Sequence, residues 1–161
     1  MPIVISKAFN ASIPPSRPLE PLATRAASAD ANRMEPAPTR PDLASLAAAL
    51  EASWDHRTSY GGVTEPGNPA LGQCYPTARV VQYFHPETDI ACGEVWTGAT
   101  TECHFWNVRG AEWIDLSWQQ FPPGSIVRDF KLLDRDRPAD SPPTVERCAL
   151  LLRRVLAHLG Q

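Results

Sequence analysis

From Asp42 the chain reads DLASLAAALEASW, and Leu43, Leu46, Ala47, Leu50 and Trp54 recur at spacings that share one side of a helix. Asp42, directly after Pro41, supplies a helix N-cap. Residues 55–72 show no period and hold four glycines and two prolines, which predicts a long loop. Loops longer than about 12–15 residues in compact domains are often functional. A second helical pattern runs from residue 76 to about 84 through Thr77, Val80, Val81 and Phe84. Residues 90–97, 101–108 and 111–116 read as strands, with a short further strand over 126–133. Ser141, Pro142 and Pro143 then open a last helix whose apolar side is Val145, Cys148, Leu152, Val155 and Leu159, and Gly160 ends it. The order helix, helix, strands, helix, with neighbouring strands antiparallel, gives an α+β fold in which a small antiparallel sheet packs against helices.

Arg109-Gly110 has the length and the glycine of a two-residue hairpin turn between the second and third strands. That turn sets Val108 opposite Ala111, hence Trp106 opposite Trp113 and His104 opposite Asp115, with both pairs on one face. Directly opposed side chains have Cβ atoms roughly 4.5–5.5 Å apart, near enough for a carboxylate to hold an imidazole.

The patterned part is thus a single domain over residues 42–161, and residues 1–41 differ in kind. Eight of the 17 prolines fall in that opening stretch among Ala, Ser and Arg, without a sustained apolar period, which is the composition of a disordered leader. A chain of 161 residues with 43% apolar and 20% charged side chains suits one globular domain with a tail. The net charge of −3 offers no field for phosphate backbones, so nucleic acid is not an expected partner. No stretch nears the ~18 apolar residues of a membrane span, so no membrane partner is expected either. Residues 1–10 lack the apolar core, about 7–15 residues long, of a secretory signal. The expected setting is cytoplasmic, with delivery of the protein through its leader as the alternative.

Four cysteines, Cys74, Cys92, Cys103 and Cys148, stand 18, 11 and 45 positions apart, without the close pairs of a zinc site and too sparsely for a disulfide scaffold. They read as free thiols, and no metal or cofactor is expected. Cys103 and His104, adjacent in a strand, point to opposite faces and do not share an ion. Cys74 falls at or just before the start of the second helix, where Pro76 suits the first turn, and unpaired N–H groups with their partial positive charge favour thiolate over thiol. With His104 and Asp115 it supplies, in chain order, a nucleophile, a general base and an orienting group. Backbone N–H groups near Cys74, together with the Gln73 side chain, would bind a developing oxyanion. Trp106 and Trp113 would line a substrate cleft beside His104, since aromatic walls exclude water. Each residue also has an ordinary reading. Cys74 is then a small buried apolar side chain, His104 a satisfied core histidine and Asp115 a strand-end carboxylate that caps a turn.

The string Pro69-Ala-Leu-Gly-Gln-Cys74, then Thr77-Ala78 and Val80-Val81-Gln82, followed by Glu102-Cys-His104-Phe-Trp106-Asn107 and Ile114-Asp115-Leu-Ser117 with Gln120-Phe121-Pro122, resembles the bacterial YunG family over about residues 45–159. Phe105 stands where that family's pattern has Tyr, Ser117 where it has Thr, and Tyr75-Pro76 replaces smaller residues after the cysteine. This likeness implies no particular activity. More distantly, His104-x-Trp106 followed by Trp113-x-Asp115-x-Ser117 is similar to the His/Asp hairpin of transglutaminase-like and papain-like proteins. That resemblance implies a papain/transglutaminase-like core and thiol-dependent acyl chemistry: hydrolysis, deamidation or transfer at an amide or acyl group of a small molecule or protein side chain. The alternatives are a non-catalytic binding module that keeps a transglutaminase-like cleft, and an exported effector deamidase that uses the leader for delivery.

Overall fold

The structure, a computed structural model, describes residues 39–135 and 140–161 and the backbone of Val4–Lys7. The expectation of a disordered leader falls, apart from those four residues, almost wholly outside the described part. Helix α1 (Leu43–Ser53) starts as its sequence dictates: one Asp42 carboxylate oxygen accepts the Ser45 N–H at 2.9 Å, and the other accepts the Ser45 hydroxyl at 2.8 Å. Helix α2 (Cys74–Phe84) begins two residues ahead of its apolar period, at Cys74 itself. Helix α3 (Pro142–His158) follows Ser141, with its prolines in the first turn where no N–H is required. Leu46 and Leu50 of α1, Val80, Val81 and Phe84 of α2, and Leu151 and Val155 of α3 close one core with Ile114 and Leu116.

The sheet runs in the order β1 (Val4–Lys7), β4 (Glu112–Asp115), β3 (Thr101–Arg109), β2 (Asp89–Trp96) and β5 (Ile126–Leu132), antiparallel throughout. Four of these strands belong to the patterned domain. The backbone of β1 adds to the edge of β4, in a stretch for which the sequence predicts no element. The architecture is α+β, a small antiparallel sheet with three helices.

The β3–β4 turn corrects the expected register. Arg109 pairs with Glu112, Val108 with Trp113 and Asn107 with Ile114, so the two turn residues are Gly110 and Ala111. Gly110 has φ 59°, whereas a turn at Arg109-Gly110 would force Arg109 into the left-handed region, which costs a residue with a Cβ. Glycine at the first turn position is what a type II′ hairpin takes. Moving the turn by one residue moves the pairing by two, so every side chain keeps its face. His104 and Asp115, like Trp106 and Trp113, become diagonal neighbours rather than direct opposites.

On β3, Phe105 and Asn107 turn towards α2. The Phe105 ring meets Tyr75 edge-on at 4.8 Å, and the Asn107 amide donates to the Ala78 carbonyl at 3.0 Å. His104 and Trp106 point to the other face, where Trp106 packs on Trp113 and Phe130 at 5.2 and 5.5 Å. Gly93 pairs with His104 on one side and Phe130 on the other. A Cβ there would lie 2.4 Å from the Asp129 carbonyl oxygen and 2.7 Å from the Trp106 ring. Gly93→Ala is therefore expected to destabilise the fold by about 1–3 kcal/mol through overpacking, read as a lower denaturation midpoint, whereas Gly67→Ala, with open space around it, tests only the cost of its positive φ.

Candidate active site

His104 is 0% exposed, and its Nε2 meets Asp115 Oδ2 at 2.6 Å. The other Asp115 oxygen accepts the Ser117 N–H at 3.0 Å and the Ser117 hydroxyl at 3.2 Å. The carboxylate therefore caps the turn after β4 and also holds the imidazole. The diagonal pairing reaches because β4 leaves β3 after Ile114: Asp115 lies past the last β3–β4 pair, and its side chain leans along β3 to the ring.

The departing chain closes around the histidine. The one-turn 3₁₀ helix Trp118–Gln120 and Phe121 follow, and His104 is boxed by Trp106 at 5.6 Å, Trp118 at 5.7 Å and Phe121 at 4.8 Å between ring centres. Gln120 Nε2 stands 3.1 Å from His104 Nδ1 and also donates to the Ser117 carbonyl at 3.3 Å. Burial alone would push the ring's pKa down. The charge and hydrogen bond of Asp115, followed by interaction with Cys74, outweigh it and raise the value from 6.5 to about 9.

Cys74 is half-buried at the first residue of α2. It lies near enough to the His104 ring to help raise the ring's pKa, but among the described residues no hydrogen bond joins its sulfur to the ring. Nε2 is taken by Asp115, and Nδ1, the other ring nitrogen, is approached by Gln120. Gln73 precedes the helix without capping it through its side chain, so the first-turn N–H groups of Cys74 and Tyr75 stay uncapped; Pro76 has none.

The Gln73 side chain is 1% exposed, and its amide N–H donates to the Asp55 carbonyl in the loop at 2.9 Å. Asp55 in turn bonds Arg154 at 2.8 Å, and that hydrogen bond holds the Asp55 carboxyl below its usual range. Trp106 and Trp113 pack with each other and with Phe130. A cavity of about 390 Å³ borders the residues next in sequence to the candidates, with Tyr75, Pro76 and Phe105 in its wall together with Tyr60, Ile90 and Leu133. Cys74, His104 and Asp115 are not themselves in that wall.

The family model for the YunG protein matches residues 42–160. The chain belongs to the YunG family. The match covers the three helices and the β2–β5 part of the sheet, and it includes Cys74, His104, Asp115 and Gln120. No match was found among the curated proteins or the solved structures. In this YunG domain no helix among the described residues is long and apolar enough to cross a membrane, and no group of three or more His, Cys, Asp and Glu side chains there is placed to hold a metal ion. Gln120 is the site residue that sequence reasoning passed over. It belongs to the Gln120-Phe121-Pro122 string but has no periodicity or partner to mark it, and only the 3₁₀ turn delivers it to the ring.

The raised His104 pKa makes stability depend on pH. The folded state holds a proton that the unfolded chain releases above about 6.5, so this contribution is complete below that pH and is lost as pH climbs through about 9. The denaturation midpoint is expected to fall over that interval in the wild type, and His104→Gln is expected to flatten this part of the profile.

Proposed function

We propose that the domain is a cysteine-dependent enzyme acting at an amide or acyl group, by hydrolysis, deamidation or transfer, with Cys74 as nucleophile, His104 as proton carrier and Asp115 as orienting group. The observation that carries this reading is the buried 2.6 Å bond from Asp115 to His104 Nε2, so that Nδ1, where the Gln120 amide now stands at 3.1 Å, is the nitrogen that would exchange a proton with the helix-start thiol. A histidine serving only the core needs no carboxylate partner with its charge sequestered from water, and burying such a pair is costly.

In this mechanism the proton on Nδ1 is the one the thiol has given up. The sulfur attacks the carbonyl carbon, and the N–H groups at the start of α2 receive the developing oxyanion. The imidazolium then passes its proton to the leaving nitrogen, and the freed amine departs from an acyl-enzyme. Water, or an acceptor amine in the transfer case, gives up a proton to Nδ1 as it attacks the acyl carbon and restores the thiol and ring. Asp115 keeps one ring nitrogen occupied throughout, which fixes the orientation of the other. A papain- or transglutaminase-like core belongs to the same proposal and rests on the order Cys, His, Asp along helix, strand and adjoining strand. Four unbridged cysteines fit a reducing compartment, so the cytoplasm is the proposed setting.

Alkylation tests the reading without a known substrate. At neutral pH iodoacetamide is expected to modify Cys74 ahead of Cys103 and Cys148, whose thiols are pushed up to about 12 and about 11 by partial desolvation of the sulfur and, for Cys103, by the adjoining Cys92. His104→Ala is expected to slow modification of Cys74 by on the order of 10–100-fold while the far-ultraviolet circular dichroism stays native. A Cys74 that reacts like an ordinary buried thiol, at the same rate in both proteins, would favour the non-catalytic binding module.

A further inference from the structure

Two thiols outside the candidate site touch each other. Cys92 on β2 pairs with Phe105, and Cys103 on β3 pairs with Glu94, so the two cysteines are diagonal neighbours across antiparallel strands. Their sulfurs are 3.7 Å apart, and neither is bridged. Cys103 is exposed and Cys92 half-buried, so a small solute reaches the pair. Diagonal positions place Cα atoms roughly 7–8 Å apart, beyond the usual span of a disulfide, so closure needs the strands to give locally.

The local structure has that give. β4 pairs with β3 only at Asn107–Arg109, so the half of β3 that carries Cys103 has β2 as its strand neighbour and no strand on the other side. The β2–β5 register shifts between Glu94 and Val95, two residues from Cys92. Such an irregularity bends and twists its strand.

We propose that Cys92 and Cys103 are a modification site, a dithiol that a hydroperoxide converts into a cross-strand disulfide. The Cys92 thiolate attacks the peroxide O–O bond, gaining an oxygen to become a sulfenic acid as the first water leaves. Cys103 then attacks that sulfur: the S–S bond forms, the S–O bond breaks and a second water leaves. Two thiols lose two electrons and two protons, and hydrogen peroxide takes them up to give two waters. Partial desolvation of the sulfur, followed by the hydrogen bond and charge of Cys92, pushes the otherwise exposed Cys103 up to about 12. The disulfide would clamp the strand end bearing His104 to β2, and its formation does not depend on Cys74 being a nucleophile.

The test uses the full chain treated with equimolar hydrogen peroxide, capped with N-ethylmaleimide, cleaved after glutamate and weighed. Cleavage after Glu94 and Glu102 puts Cys92 and Cys103 on separate fragments, and further glutamates separate both from Cys74 and Cys148. The expected product is the Cys92 fragment joined to the Cys103 fragment, two hydrogens lighter than their sum, separated by dithiothreitol and formed equally in Cys74→Ser. Maleimide on both cysteines after oxidation, a link from Cys103 to Cys74, or loss of the link in Cys74→Ser would each overturn the proposal.

Discussion

A charged imidazole with no exposed surface survives in a protein interior only beside a group that returns what water supplied. In this domain that group is Asp115, 2.6 Å from His104 Nε2, and the local architecture is arranged around the pair. Asp115 gains its position because β4 stops pairing with β3 after Ile114 and its chain turns away. The same departure opens the flank of β3 at His104, which the 3₁₀ turn and Phe121 then seal with aromatic rings. Had the ladder continued, Asp115 would face Trp106 directly, and the backbone of β4 would occupy the flank of β3 where the ring finds its partners.

The placement of Cys74 is a separate problem, solved by hydrogen bonds that lock α2 onto the sheet and the loop. Asn107 reaches from β3 to the Ala78 carbonyl and to Thr88, both buried contacts. The Trp54 indole donates to Thr77 at 3.1 Å and ties the end of α1 to the first turn of α2. Gln73 holds Asp55, and Asp55 holds Arg154 of α3. The residue immediately before the cysteine is thereby linked to all three helices' packing, which gives the Gly72-Gln73-Cys74 string a mechanical meaning: Gln73 fixes where the helix starts.

Local rules made the helices legible. Asp42 and Ser141 mark real helix starts, because such boundaries are decided within a few residues. The hairpin register was legible only to its face. Glycine's freedom at Gly110 selects the turn, and reading it one place early displaces every pair by two while leaving Trp106, Trp113, His104 and Asp115 on one side. Gln120 was not legible, since its contact with the ring depends on where an irregular turn after a strand end happens to fold. Nor was the contact of Cys92 with Cys103, because it follows from the β2–β3 pairing rather than from their spacing.

The two nitrogens of His104 carry different duties, and the division follows from which neighbours are anionic. Asp115 accepts and cannot donate when ionised, so Nε2 keeps its proton in either state of the ring, and any proton gained or lost passes through Nδ1. Gln120 approaches Nδ1 with its amide nitrogen, a contact that suits an unprotonated ring nitrogen. Once Nδ1 is protonated, the amide must turn its oxygen to the ring or yield to another acceptor. On the proposed reading, the Cys74 thiolate is that other acceptor, so the ring exchanges a proton with the sulfur only where Gln120 gives up its place at Nδ1.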